Sequence, residues 1–157
     1  MLPLGTCHKT SRLPLAADSV GLVWSNLALQ WLNDLPRAFS EMHRILQPGG
    51  LIMFSTFGPD TLKELRAAYE DTDGRTHINR FVDMHDIGDA LVAAGYADPV
   101  MDMEKITLTY PDVRTLMRDL KAIGAHNATR GRPGTLTAKS VLRAVERRYE
   151  AFRRDGT

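Results

Sequence analysis

Cysteine is almost absent: Cys7 is the single one in 157 residues, so no internal disulfide can form. No cysteine and histidine spacing resembles a zinc site, and no metal ligation is expected. The twelve glycines include no G-x-G pair, which leaves the chain without the glycine loop that lets a nucleotide approach the backbone at a helix amino terminus. No apolar run approaches the ~18 residues needed to cross a bilayer, and no charged stretch followed by an apolar one opens the chain. These absences make a cytoplasmic protein with no membrane partner the expectation. Hydrophobic content of 43% and charged content of 25% are ordinary for a globular chain large enough to bury a core.

The most informative stretch runs from residue 19 to 57, SVGLVWSNLALQWLNDLPRAFSEMHRILQPGGLIMFSTF. Val20, Leu22, Val23 and Trp24 form one short apolar run, and Leu51, Ile52, Met53 and Phe54 form another. Neither alternates with polar residues, as in parallel strands covered on both faces by helices. Between them Leu35, Ala38, Phe39, Met42, Ile45 and Leu46 recur at helical spacing. Asp34 and Pro36 signal the helix start, and Pro48, Gly49 and Gly50 its stop. The pattern predicts one βαβ unit with a right-handed crossover.

Downstream, Asp60 or Thr61 is the expected cap of a helix burying Leu62, Leu65 and Ala68. Asp83 and Asp86 open another helix, with Ile87, Leu91 and Ala94 inward and Gly95 as the stop. Residues 100–110 read as a third strand with a change of phase near Glu104, where Met101 and Met103 serve as core filling. Pro111 and Asp112 begin a helix burying Val113, Leu116, Met117, Leu120 and Ile123 and ending at Gly124. Thr137 caps a last helix whose stripe is Val141, Leu142, Val145, Tyr149 and Phe152.

Charge is divided unevenly. Residues 1–113 hold 9 Lys/Arg against 15 Asp/Glu, and residues 114–157 hold 11 against 4. Residues 112–157 thus form a basic helical portion, read either as a solvated face whose arginine stems cover apolar surface or as a dock for an acidic partner. GRPG at 131–134 has the spacing of a backbone-clamping RNA loop, but the helices around it do not suit such a domain, so no nucleic-acid partner is expected.

SNLALQWLNDLPRAFSEMHRILQPGG followed by FSTFGPDTLKEL resembles the region after the fourth strand of S-adenosylmethionine-dependent methyltransferases, most closely the malonyl-acyl-carrier-protein methyltransferases of biotin synthesis. INRFVDMHDIGDALVAAGYADPVMDMEKITLTYPDVRTLMRDLKAIGAHN resembles the same family, and the likeness spans roughly residues 12 to 155. It implies an α/β fold: a partial Rossmann-like methyltransferase sheet of about three strands, at 20–25, 51–57 and 100–110, with flanking helices. Residues 1–157 would be the carboxyl-terminal part of a single methyltransferase domain, with 1–12 an atypical start. In RLPLAADSV the position four before Leu13 is Lys9, where the resemblance implies an acid. The first three strands and the last antiparallel strand are expected to be missing, and the exposed sheet edge then favours a homodimer.

The resemblance also implies the cofactor S-adenosyl-L-methionine, addressed by Leu13, Pro14, Asn26, Leu27 and Ala28. The implied reaction is methylation of the free carboxylate of a malonyl thioester, carried by an acidic acyl carrier protein or by coenzyme A. Gln30, Trp31, His77, Asn79, Arg80, Lys121 and His126 are the candidates for holding that substrate. Trp31 alternatively packs under the following helix, and His77 is alternatively incidental to a surface loop. A carboxylate is ionised at neutral pH, so no catalytic acid, base or nucleophile is expected. Without the glycine loop, the chain alone is expected to bind cofactor weakly or not at all, and to be inactive. The competing expectations are a protein-directed methyltransferase-like assembly factor and a non-enzymatic interaction module.

Overall fold

The computed structural model describes residues 12–70, 72, 78, 80–122 and 139–153. In chain order these form β1 (Val20–Asn26), a 3-10 turn (Leu29–Trp31), α1 (Leu35–Ile45), β2 (Leu46–Ser55), α2 (Lys63–Tyr69), α3 (Met84–Ala93), α4 (Val113–Ala122), α5 (Lys139–Tyr149) and a second 3-10 turn (Glu150–Phe152). β1 and β2 are parallel neighbours joined through α1, which is the expected βαβ unit. The chain gathers into two compact units. The first comprises Met1–Pro59 and Phe81–Met103, the second Asp60–Arg80 and Glu104–Thr157.

The first unit is built on α1. Asp34 caps this helix by accepting from the Arg37 backbone N–H at 3.1 Å, and Pro36 occupies the first turn, where its missing N–H costs nothing. Phe39 is fully buried with Leu29, Ile87 and Leu91, and Ile52, Phe54, Met42 and Met101 pack against them. Asp83 caps α3 through the His85 N–H, and Gly95 follows that helix at φ +95°, a left-handed position that glycine reaches at no steric cost.

LQPGG departs from the expectation of a helix stop followed by a turn. α1 ends at Ile45, and Leu46 already pairs with Val20, while Leu22 pairs with Leu51. The Pro48-Gly49-Gly50 segment is therefore a bulge inside β2. Gly49 stands at φ +77°, and a Cβ on Gly50 would lie 2.8 Å from the Gln47 carbonyl oxygen.

The expectation that helices cover both sheet faces is also corrected. Val23, Ile52 and Phe54 face the helices, whereas Leu22, Trp24, Leu51 and Met53 are more than half exposed, Trp24 to 69%. The run of apolar residues is real, but among the described residues only one layer of helices lies against it.

The third strand is not formed. Residues 101–110 contain no strand, and Val100, Met103, Ile106 and Leu108 are exposed. A strand exists through its ladder, and among the described residues the single ladder is that between β1 and β2. Alternation of apolar side chains without a partner fixes nothing. Met101 does fill the core, but Met103 does not.

The second unit is helical. Leu65, Ala68, Val113, Leu116 and Val145 are buried together, with Met117, Leu120, Val141 and Tyr149 around them. Asp112 accepts from the Thr115 N–H at 2.8 Å, as a residue opening α4 should. The start of α2 differs from expectation. The Asp60 carboxylate is engaged by Lys105 at 2.9 Å and Lys63 at 3.3 Å, and Leu62 takes the cap position at φ +55°. Phe152 lies past the end of α5, 40% exposed, and so leaves the expected stripe. Ile123, Gly124 and Thr137 lie outside the described residues.

Candidate functional site

Parallel strands end together, and their carboxyl ends leave backbone groups for whatever the following loops bring. β1 ends at Asn26, which the register sets opposite Ser55 at the end of β2. Ser55 Oγ donates to Asn26 Oδ1 at 2.5 Å. The next backbone N–H, that of Leu27, donates to both the Oγ and the carbonyl oxygen of Ser55 at 3.1 Å.

Leu27 itself adopts φ +47°, the left-handed region, with its side chain 43% exposed. A branched residue in that region costs of order 1 kcal/mol and persists only where its surroundings hold it. Gln30 completes the hold: its Nε2 donates to the Leu27 carbonyl at 2.5 Å and its Oε1 faces Thr56 Oγ1 at 3.5 Å. Asn26, Leu27, Ala28 and Gln30 therefore form one corner at the strand ends. The Trp31 N–H donates to the Ala28 carbonyl, and its ring is half-buried.

Leu13 and Pro14 lie in a separate turn of the same unit. The Leu15 N–H donates back to the Leu13 carbonyl at 2.8 Å, and two side chains of α1 grip the turn. Glu41 Oε1 accepts from the Leu13 N–H at 2.7 Å, and Arg44 Nη2 donates to the carbonyls of Leu15 at 2.9 Å and Leu13 at 3.3 Å. Glu41 and Arg44 also bond each other at 2.6 and 3.0 Å. The guanidinium, aided by the Leu13 N–H, holds the Glu41 carboxyl down at about 2 against the opposing effect of burial.

The remaining candidates fall elsewhere. Arg80 and Lys121 belong to the second unit and are exposed. His77, Asn79 and His126 lie outside the described residues. Sequence reasoning missed Ser55, Thr56, Glu41 and Arg44. The Glu41/Arg44 spacing signals a helical ion pair, but nothing in the sequence reveals that the pair closes on residues 13–15. Among the described residues no cluster of His, Cys, Asp and Glu could hold a metal ion.

Comparison with known proteins places this corner in context. A family model described as "Methyltransferase domain" matches residues 5–54, a span that contains the residue 13–15 turn, β1, α1 and β2 as far as Phe54. The chain is 60% identical over 98% of its length to the malonyl-[acyl-carrier protein] O-methyltransferase of Gallionella capsiferriformans, and 62% identical over 92% of its length to that of Nitrosospira multiformis. Along nearly its whole length the chain is similar to malonyl-[acyl-carrier protein] O-methyltransferases. It spans about half the length of the curated relatives it matches, 53% of the first and 47% of the second. A crystal structure of an S-adenosylmethionine dependent methyltransferase from Mesorhizobium loti aligns with 76% of this chain and 62% of its own, at 22% identity and a TM-score of 0.46.

Among the described residues, the two parallel strands joined through α1 are a partial Rossmann-like α/β arrangement. No helix among the described residues is long and apolar enough to cross a membrane.

Proposed function

We propose that this chain serves the S-adenosylmethionine-dependent methylation of the free carboxylate of a malonyl thioester in biotin synthesis. The identity of 55 to 62% to malonyl-[acyl-carrier protein] O-methyltransferases is the observation that carries this reading. The strand-end corner supports it.

The residues there suit the cofactor. Asn26 commits its carboxamide oxygen to Ser55, which leaves its N–H groups as donors, and exposed Leu27 and half-buried Ala28 add apolar and main-chain surface. An uncharged donor and apolar set of this kind fits an adenosyl and amino-acid moiety better than a phosphate. Asn26, Leu27 and Ala28 would hold one part of the cofactor, and Leu13 and Pro14 another. When bound, S-adenosyl-L-methionine supplies a methyl group on a positively charged sulfur.

The chain's own task is to bind and orient. The substrate carboxylate needs no proton removed, its pKa lying near ~4, so catalysis rests on an in-line approach in a site closed to water. Gln30 and Trp31 are the residues proposed to border the acyl group. Lys139, Arg143 and Arg147 stand four residues apart on α5, exposed, with no ion-pair partner among the described residues. Like charges at that spacing weaken a helix slightly, and an acidic carrier protein docking there would relieve the repulsion.

Isothermal titration of the 157-residue chain with S-adenosylhomocysteine tests the reading. Saturable one-to-one binding that Asn26→Ala weakens supports it. A form extended to the relatives' full length that also shows no heat and no protection from thermal unfolding at millimolar ligand overturns it.

A further inference from the structure

Glu41 and Arg44 are the two charged side chains of α1 that face neither solvent nor core; their side chains are 14% and 25% exposed. An ordinary surface pair three residues apart on a helix contributes little and touches nothing else. This one makes three contacts to main chain, all within residues 13–15: Leu13 N–H, Leu13 carbonyl and Leu15 carbonyl. Backbone bonds continue the seam: the Asp18 N–H donates to the Arg44 carbonyl at 3.1 Å and the Ser19 N–H to the Ile45 carbonyl at 2.8 Å, where β1 is about to begin.

The grip reads backbone and no side chain, so it fixes the path of the turn while leaving the faces of Leu13 and Pro14 uncommitted. It is also charge-assisted on both sides, carboxylate to N–H and guanidinium to carbonyl, the stronger class of hydrogen bond. Resting on the function proposed above, we infer that Glu41 and Arg44 are positioning residues for cofactor binding: a two-residue clamp that holds the Leu13–Leu15 main chain in the shape that receives the nucleoside. Neither touches the cofactor itself. Glu41 stays ionised at any pH above about 2, so the clamp remains closed throughout the neutral range.

The test uses the 157-residue chain with three variants, Glu41→Gln, Arg44→Met and Arg44→Lys, and Glu150→Gln as a control that removes an exposed pair with Arg153. Two quantities are measured: amide hydrogen exchange at Leu13 and Leu15, and the dissociation constant for S-adenosylhomocysteine. Faster exchange at both amides with binding about tenfold weaker is expected for Glu41→Gln and Arg44→Met, the scale of one lost charge-assisted bond.

Arg44→Lys separates positioning from stability. A lysine keeps the charge beside Glu41 but lacks the second nitrogen, Nε, that holds Glu41 at 3.0 Å while Nη2 reaches the carbonyls. Its melting temperature should match wild type while its affinity falls. The control should change neither quantity. Variants that free the two amides yet bind with unchanged affinity would overturn the clamp's role and leave the proposed function standing. A wild-type form extended to the relatives' full length that binds no S-adenosylhomocysteine would overturn both.

Discussion

The two units of this chain solve the same problem, burying an apolar stripe, by different means. In the second, α2, α4 and α5 bring Leu65, Ala68, Val113, Leu116 and Val145 together, and each helix satisfies its own backbone hydrogen bonds. In the first, α1 and α3 cover one side of a two-stranded sheet and leave Leu22, Trp24, Leu51 and Met53 facing outward. A helix carries its hydrogen bonding within itself, whereas a strand depends on neighbours that lie elsewhere in the chain. The helical unit is accordingly closed around its core. The sheet-bearing unit holds the special geometry: left-handed Leu27, the bulge at Gly49 and Gly50, and the grip on residues 13–15.

Removing the centre of each core should show the largest effects. Phe39→Ala empties the middle of the first unit, where the ring is fully buried 5.6 Å from that of Phe54, and should cost about 3–5 kcal/mol by denaturant unfolding. Leu65→Ala in the second should cost about 2–5 kcal/mol. A loss under 1 kcal/mol at either site would mean that its core is not organised as described.

The bulge offers a sharper contrast, because it exists only in the sheet-bearing unit. Gly50→Ala forces a Cβ to within 2.8 Å of backbone and 3.0 Å of Leu46 Cδ2, and should cost about 1–3 kcal/mol. Gly88→Ala, in α3 with open space around its Cβ position, should instead stabilise by about 0.5–1 kcal/mol. Chemical denaturation of the two variants beside wild type measures both, and equal effects would remove the bulge from the account.

Acid should weaken both units by the same linkage. Hydrogen bonds from Arg44 depress Glu41 to about 2, those from Lys105 and Lys63 depress Asp60, and backbone N–H groups of His85 and Thr115 depress Asp83 and Asp112. A carboxyl depressed in the folded state contributes stability that is present above its unfolded pKa of about 4 and lost as pH falls through the folded value. Melting temperature should therefore fall from pH 5 to pH 2, and Glu41→Gln should flatten that fall. An unchanged slope in the variant would remove Glu41 from the linkage.

The smallest effect is expected on the open sheet face. Trp24→Gln replaces a side chain that is 69% exposed and should shift stability by no more than about 0.5 kcal/mol. A loss above 2 kcal/mol would show that this face is covered after all.

Much of this was legible in advance because the signals are local. Asp34 and Pro36 start α1, Asp83 starts α3, Gly95 ends it, and the stripes Leu65/Ala68 and Ile87/Leu91 are the buried ones. Helix starts and faces depend on residues three or four apart, which the chain itself brings together. The strand at 100–110 failed for the converse reason, since its alternation is local but its partner is not. The candidate site divides along the same line. The place of Asn26 and Leu27 at the end of β1 could be read from the sequence, while their bonds to Ser55 and the contacts of Glu41 and Arg44 could not.

What sequence alone determined about this protein is the βαβ unit, the helices with their buried faces, and a likeness to methyltransferases. What only the tertiary structure decided is the register that sets Asn26 against Ser55, the left-handed turn held at Leu27, and the closure of an ion pair on α1 around the backbone of Leu13 and Leu15. Each of these joins groups about thirty residues apart through hydrogen bonds whose geometry is set within a few tenths of an ångström. No periodicity in a sequence carries that information, because it arises only when the intervening chain has packed.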